Sequence, residues 1–339
     1  MPVGYAELQV TSNFSFLRGA SHPDELVAGA AALGHRAIAI TDRNSLAGIV
    51  RAHHAAKVAG IRLVIGCRLD LRDGTSLLAF PTDRAAYGRL TRLLTLGKRR
   101  APKGQCQLDY ADVVTHGAGQ LLVVLPPESA PEEAAFAAHH SVAARVAADF
   151  PERAYQAAHH LYRGDDARRL ARLARIAEET GLPLVAVNDV LYHIPERRPL
   201  QDVLTSIREH CTVAEAGYRL CANGERHLKP PQEMARLFRG YEEALAAGLD
   251  IVGRCRFSLE ELRYEYPEEP VPLGMKPQQR LAELAWEGAA ERFPAREFPE
   301  GVPERIRGLI AHELALIERL DYARYFPVSY THLRAHETG

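Results

Sequence analysis

The stretch "RAIAIT" at residues 36–41 predicts a short buried strand, and it follows the helical pattern "PDELVAGAAALG". The same order recurs where "IRLVIG" follows "SLAGIVRAHHAAKVAG", and again where "PLVAV" follows "DDARRLARLARIAEETG". The apolar runs "SLLAF" and "QLLVVLP" predict two more strands. Short apolar strands that alternate with helices are typical of α/β folds with a parallel sheet, either open or closed into a barrel.

The composition is that of a globular protein with one large domain or two ordinary ones, at 339 residues and 47% hydrophobic content. A net charge of -1 excludes attraction of the whole chain to nucleic acid or membrane. The five cysteines form no C-x-x-C pair, which favours reduced thiols and a cytoplasmic location. The start "MPVGYAELQV" predicts no secretory leader, and no apolar run approaches the ~18 residues of a membrane span.

Polar residues follow several of the predicted strands at the point where each strand ends. In a parallel α/β fold the carboxyl ends of the strands meet at one rim, where ligands bind. A single carboxylate there could instead be only a helix N-cap, so the convergence of several strand ends carries more weight. The residues expected at this rim are Gln9, Thr11, Asp42, Arg68, Asn188 and Asp189.

The sequence "EYPEEPVPLGMKP" at residues 265–277 is rich in proline and acid, which is typical of a linker or domain boundary. Two amphipathic helices are expected after it, with Ile306, Ile310, Leu314 and Ile317 at helical spacing in the second. Trp286 lies at helical spacing from Leu281 in the first, so core packing is the expected role of its ring.

Five ordered blocks resemble the N-terminal part of bacterial C-family DNA polymerases: "YAELQVTSNFSFLRGASHPDELV", "AIAITDRNSLAGIVRAH", "GIRLVIGCRLDL", "LPLVAVNDVLYH" and "RPLQDVLTSIREHCT". The stretches "RHLKPPQEMARLF" and "CRFSLEELRYEYPEE" resemble its error-prone branch. The resemblance implies a polymerase-and-histidinol-phosphatase (PHP) domain over residues 1–265, folded as a distorted seven-stranded β/α barrel. It further implies a linker at 266–280, the helical start of the polymerase palm and thumb at 281–326, and a non-native disordered tail at 327–339.

Metal-competent PHP domains carry His, Asp, Glu and Cys ligands at the barrel rim, and the resemblance locates the corresponding positions here. Most of them do not hold the family's ligand types and instead carry Gln9, Thr11, Arg43, Arg68, Leu191 and Gln201. Asp42 and Asn188-Asp189 retain the family's residue types. Guanidinium groups stay protonated and repel cations, so we expect that no metal binds at this rim. We expect instead that Arg43 and Arg68 form ion pairs with Asp42 and Asp189. The barrel is then predicted to be structural.

The resemblance implies a DNA-directed DNA polymerase that copies damaged templates, with Mg²⁺ as cofactor of the full-length protein. DNA primer–template, dNTPs, the sliding clamp and damage-response accessory proteins are its implied partners. The palm aspartates are expected beyond this chain, so no catalytic residue is assigned within it and this fragment alone is predicted inactive. Two alternatives stay open: a metal-dependent phosphoesterase of the histidinol-phosphatase kind, and a non-enzymatic module that docks DNA or a partner protein.

The loop "GKRRAPKG" is the one dense basic segment, and it is a candidate contact for the phosphate backbone of DNA. A solvated loop without a partner is the other interpretation. The candidate residues are Lys98, Arg99, Arg100 and Lys103.

Two histidine pairs and two tail histidines are interpreted as having no metal role. Adjacent residues on a helix point about 100° apart, so the pairs at residues 53–54 and 159–160 are not expected to chelate one ion. His332 and His336 lie in the tail that is predicted to be non-native.

Overall fold

The computed structural model describes residues 4–127, 133–262 and 274–326, which fall into two units divided after Leu262. Strands and helices alternate through most of the first unit, as the sequence predicts, and this confirms the α/β class. The strands of the described residues are β1 (Ala6–Glu7), β2 (Ala37–Ile40), β3 (Arg62–Ile65), β4 (Cys67–Asp70), β5 (Ser76–Pro81), β6 (Gln120–Val124), β7 (Ala154–Ala158) and β8 (Leu184–Ala186).

The helices of the first unit cover the strands and fill its C-terminal third. They are α1 (Pro23–Ala32), α2 (Ile49–Ala59), α3 (Arg84–Arg99), α4 (Tyr110–His116), α5 (Glu133–Asp149), α6 (Asp166–Thr180), α7 (Arg198–Arg208), α8 (Val213–Ala216), α9 (Pro231–Leu237) and α10 (Glu242–Arg254). Gly60 and Gly181 end α2 and α6 in the left-handed conformation, with φ of 67° and 72°. Both glycines therefore act as the C-terminal caps that their positions in the sequence indicate.

The strands form two sheets. β1, β2 and β3 are parallel neighbours in the first sheet, whereas the second has the order β4-β5-β6-β7-β8. β5 runs antiparallel to both β4 and β6, and the remaining pairs are parallel. The expectation of a purely parallel sheet is therefore wrong at β5. Residues 71–75 connect β4 to β5, and so short a connection permits only a hairpin.

Two isolated bridges between parallel segments join the two sheets. Val10 pairs with Val190 beyond the ends of β1 and β8, and Arg43, just beyond β2, pairs with Arg68 of β4. The nitrogen of Thr11 lies 2.9 Å from the carbonyl oxygen of Val190. This connectivity is consistent with the predicted distorted barrel, in which β3 and β4 are one strand path bent between Ile65 and Cys67.

Apolar side chains pack on both faces of the strands. In β6, Leu121 and Val123 belong to a cluster with Ile251 of α10, while Leu122 and Val124 belong to the larger cluster under the other helices. Successive residues of a strand point to opposite faces, so both faces of the sheet are covered. The carboxyl ends of the strands are thereby held on a rigid frame.

The second unit contains α11 (Pro277–Arg292) and α12 (Glu304–Arg319), which are the two helices expected from the sequence. Leu281, Ile317 and Ala323 form its buried cluster. Trp286 does not pack in that core, contrary to expectation, because its residue is 38% exposed. The predicted linker lies mostly outside the described residues, and the predicted tail at 327–339 lies wholly outside them.

Candidate functional site

Residues just beyond β1, β2 and β8 form the rim that the sequence predicts. Thr11 and Gln9 are buried there, because the segment after β1 hydrogen-bonds with the segment after β8. His159, which follows β7, donates through Nε2 to Oε1 of Gln9 over 2.7 Å. This bond uses the Gln9 amide oxygen where the resemblance implies a metal-binding imidazole.

The carboxylate of Asp42 is saturated by hydrogen bonds from serines. Its Oδ1 accepts from the Ser12 nitrogen at 2.8 Å and from the Ser15 hydroxyl at 2.7 Å, while Oδ2 accepts from the Ser12 hydroxyl at 2.8 Å. Burial raises the pKa of Asp42, and the hydrogen bonds from Ser15 and Ser12 act against that rise. The predicted arginine partner of Asp42 is wrong, since in the described part of the chain serines satisfy this carboxylate.

Arg43 and Arg68 share a carboxylate that the sequence analysis missed, that of Asp70. Arg43 Nη1 lies 3.0 Å from Asp70 Oδ2, and Arg68 Nε lies 2.8 Å from Asp70 Oδ1. Burial acts to raise the pKa of Asp70, but the charges of Arg68 and Arg43 outweigh it and hold that pKa below its ordinary value. Arg68 and Asp70 are two residues apart on β4 and so share one face, a signal that the sequence did contain.

Asp189 forms an ion pair with Arg226, a residue that the sequence did not single out. Arg226 Nη2 contacts Asp189 Oδ2, and Arg226 Nε donates to the Asp189 carbonyl oxygen at 2.7 Å. Burial acts to raise the pKa of Asp189, but Arg226, then His159, Arg68 and Arg43, hold that pKa far below its ordinary value. Arg226 contacts Asp189 directly, and the charges of the two predicted arginines, Arg43 and Arg68, also act on this carboxylate.

The other predicted rim residues have structural contacts. Asn188 Nδ2 donates to the His227 carbonyl oxygen at 2.6 Å. Gln201 Nε2 donates to the carbonyl oxygen of Arg18 at 3.0 Å, and Leu191 is buried beside it. The amide of Gln201 thus ties α7 to the loop after β1.

A buried carboxylate, Glu7, lies within hydrogen-bonding distance of the backbone of this rim. Its Oε1 accepts from the nitrogens of Gln9 at 3.0 Å and Asn188 at 3.2 Å, and its Oε2 accepts from the Tyr5 hydroxyl at 2.7 Å. Burial raises the pKa of Glu7 to about 7, although these hydrogen bonds act to lower it. The carboxylate of Glu7 thus connects the backbone just beyond β1 with the backbone just beyond β8.

A cavity of about 390 Å³ opens beside the rim, and six of its fifteen described lining residues are arginines. Arg43 and Arg226 connect it to the residues described above, and Leu191 and Gln201 also line it. Its described lining includes six guanidinium groups and no carboxylate; the arginines are Arg18, Arg43, Arg163, Arg208, Arg219 and Arg226. The described lining of the cavity is therefore rich in guanidinium groups, although Arg43, Arg208 and Arg226 each pair with a carboxylate that lies outside this lining.

The residues at the rim do not fit the metal that the resemblance associates with PHP domains. Within residues 4–127, 133–262 and 274–326, no three His, Cys, Asp or Glu side chains come close enough together to hold an ion. The oxygens of Asp42 and one oxygen of Asp189 are already bonded to serines and Arg226. A metal ion at the rim would also be repelled by the positive charges of Arg43 and Arg226.

The four basic residues predicted to contact DNA are exposed at the end of α3 and in the turn after it. They do not line the cavity. Arg100 is engaged within the protein, because its Nη1 lies 2.6 Å from Oδ2 of Asp112 in α4. Lys98, Arg99 and Lys103 keep the exposure that a phosphate contact requires.

A family model for the PHP domain matches residues 7–163. An error-prone DNA polymerase of Caulobacter vibrioides is 52% identical over 326 residues, which are 96% of this chain and 29% of that relative. Error-prone DNA polymerase 1 of Agrobacterium fabrum is 50% identical over 322 residues, 95% of this chain and 28% of the relative. This chain therefore spans less than a third of the length of these relatives. A solved amidohydrolase from Chromobacterium violaceum covers 56% of this chain, with 88% of its own length aligned, at 18% identity and a TM-score of 0.38.

Proposed function

We propose that the chain is the PHP-containing part of a bacterial error-prone DNA polymerase, a DNA-directed DNA polymerase that copies damaged templates. The full-length protein would use Mg²⁺ at its polymerase site, with primer–template DNA and dNTPs as substrates. A sliding clamp and damage-response accessory proteins would be its partners, in the cytoplasm. Identity near 50% over almost the whole chain supports this proposal.

Within that protein, the barrel is proposed to be a metal-free structural element without phosphoesterase activity. The observation that carries this proposal is the engagement of the two surviving carboxylates, because Asp42 bonds to serines and Asp189 to Arg226. The neighbouring carboxylate of Asp70 is likewise paired, with two arginines. A catalytic metal needs several such oxygens together with an open position. Among the described residues, hydrogen bonds and ion pairs hold the rim together in place of an ion.

Hydrolysis of bis-p-nitrophenyl phosphate in Mn²⁺ or Zn²⁺ tests this proposal. The purified chain is expected to release nitrophenol no faster than buffer, and Asp42→Asn is expected to leave that rate unchanged. Glu178→Gln removes an exposed carboxylate of α6 and is the matched control. Turnover that Asp42→Asn abolishes and Glu178→Gln preserves would instead establish the metal-dependent PHP phosphoesterase.

A docking role on DNA is supported by one observation, the exposure of Lys98, Arg99 and Lys103 at the end of α3. Removing a single phosphate interaction reduces the slope of log K against log salt by about 0.9. Replacing these three residues with glutamine is therefore expected to flatten the salt dependence of primer–template binding. Arg100→Gln is expected to affect the packing of α4 rather than DNA affinity, because Arg100 pairs with Asp112.

The control for this experiment is a triple glutamine variant of Arg36, Arg168 and Arg239, which are exposed on other parts of the first unit. It removes the same formal charge, so it separates a local contact from a general effect of net charge. Equal reductions of affinity in the two triple variants, or binding that salt does not weaken, would remove the α3 segment from the DNA interface.

A further inference from the structure

We propose that the arginine-lined cavity beside the rim is a binding site for a small di- or triphosphate anion. The inference concerns a ligand of the barrel itself and does not depend on the polymerase assignment. It starts from the concentration of charge, since six guanidinium groups line about 390 Å³. Arg43, Arg208 and Arg226 pair with carboxylates outside the lining. No carboxylate lines the space itself among the described residues, so an anion there would meet guanidinium groups without a neighbouring carboxylate of the lining.

Several of these guanidinium groups are held in place by the protein. Arg43 is oriented by Asp70, and Arg226 by both the side chain and the carbonyl oxygen of Asp189. Arg208 donates from Nη1 to the Leu17 carbonyl oxygen at 2.9 Å. Preorganised donors lose less side-chain entropy when a ligand binds, which raises affinity.

The chemistry of the lining suits an oxyanion such as phosphate. A guanidinium presents its N–H groups as a planar fork that matches two phosphate oxygens at once. Thr205 and Asn223 add neutral polar groups to the lining. The volume lies within the range of small-ligand sites, about 300–1,000 Å³, which suits a di- or triphosphate better than a strand of nucleic acid.

The position of the cavity explains how a site could bind phosphate without hydrolysing phosphate esters. Arg43 stands where the resemblance implies a metal-binding histidine, and it lines the cavity together with Arg226. Guanidinium groups attract phosphate as a metal ion does, but they neither activate water nor ligate it. The structure therefore combines a cationic cradle with a rim that does not fit a metal.

Tyr218 provides a way to distinguish a nucleotide from free pyrophosphate as the ligand of the cavity. It lines the cavity, yet its ring is fully exposed at a relative accessibility of 108%. An aromatic ring at the mouth of a cationic site can stack on a nucleobase. A nucleotide would use this ring, whereas free pyrophosphate would not.

Isothermal titration calorimetry of the full 339-residue chain with inorganic pyrophosphate, in EDTA, tests the proposal. We expect saturable binding at one site per chain. Arg219→Gln and Arg18→Gln are each expected to weaken it about tenfold, since each removes one charged hydrogen-bond donor. Arg219 is exposed, so its replacement leaves the fold intact and far-UV circular dichroism can verify this.

Arg168→Gln, in the exposed surface of α6, is the control and is expected to bind pyrophosphate as the parent chain does. Absence of saturable binding, or an equal reduction of affinity in the control, would overturn the proposal. So would binding of a single-stranded oligonucleotide without binding of pyrophosphate.

A parallel titration with dATP identifies the source of the phosphate. If dATP binds more tightly than pyrophosphate and Tyr218→Ala removes the difference, the site takes a nucleotide. Equal affinities that Tyr218→Ala leaves unchanged identify free pyrophosphate. Either result keeps the cavity as a phosphate site, and the phosphoesterase assay in Mn²⁺ remains a separate test of the metal-free barrel.

Discussion

Replacing Arg226 with methionine is expected to destabilise the first unit by about 3–5 kcal/mol, because it leaves a buried carboxylate without its ion-pair partner. The side chain of Asp189 is 4% exposed and that of Arg226 is 10% exposed, so water cannot substitute for the missing guanidinium. The substitution also removes the 2.7 Å hydrogen bond from Nε to the Asp189 carbonyl oxygen. Total stabilities of single domains are about 5–15 kcal/mol, so this destabilisation is a large fraction.

Urea unfolding followed by far-UV circular dichroism measures this destabilisation as a midpoint lower by about 1–1.7 M, given a slope of about 3 kcal/mol/M. The double variant Asp189→Asn/Arg226→Met is expected to recover at least half of it, since asparagine carries no charge and tolerates the φ of 49° at this position. Lys57→Met is the control, because its ion pair with Glu260 is 60% exposed on both sides. Its expected cost is at most about 1 kcal/mol. A cost for Arg226→Met as small as that of the control, or no recovery in the double variant, would refute the assigned ion pair.

Two further stability predictions follow from buried positions. Glu7 has a native pKa of about 7, raised by burial, so the native state binds more protons than the unfolded state between about pH 4.5 and 7. Stability should therefore fall by about 3 kcal/mol as pH rises through this window, and urea titrations of Glu7→Gln should lack that fall; a parent chain with no such fall contradicts the buried carboxylate. Gly66→Ala places a Cβ 2.6 Å from a Phe80 ring carbon and is expected to cost about 1–3 kcal/mol. Gly88→Ala in open space on α3 is expected to stabilise by about 0.5–1 kcal/mol, and thermal midpoints that do not separate the two alanine variants would contradict the packing.

The regular parts of the fold could be predicted from the sequence because apolar runs and glycine caps are local signals. β2, β6 and β8 occur where "AIAI", "QLLVV" and "PLVAV" indicate strands. The antiparallel direction of β5 was missed because helix–strand alternation was extended over a connection too short for a helix. Asp73-Gly74 in that connection is a hairpin signature that would have corrected it.

The sequence could predict which residues lie at the rim, but it could not predict which side chains they contact there. The rule that strand ends converge brought Asp42, Arg68 and Asp189 to one rim, because it depends only on topology. Their partners depend on long-range packing. Arg226 lies 37 residues from Asp189 in an irregular segment that carries no periodic signal. Ser12 follows β1 as an ordinary loop serine, and its bond to Asp42 spans 30 residues.

The metal content of the purified chain tests the central claim most directly. The chain is incubated with excess Zn²⁺ or Mn²⁺, desalted, and analysed by inductively coupled plasma mass spectrometry, with its thermal midpoint recorded before and after EDTA. Because the described rim is held by serine, arginine and carboxylate contacts, we predict no stoichiometric metal and no change in the midpoint. The account would be contradicted if the parent chain bound one or more ions and its thermal midpoint fell in EDTA, while the Asp42→Asn variant bound no ion.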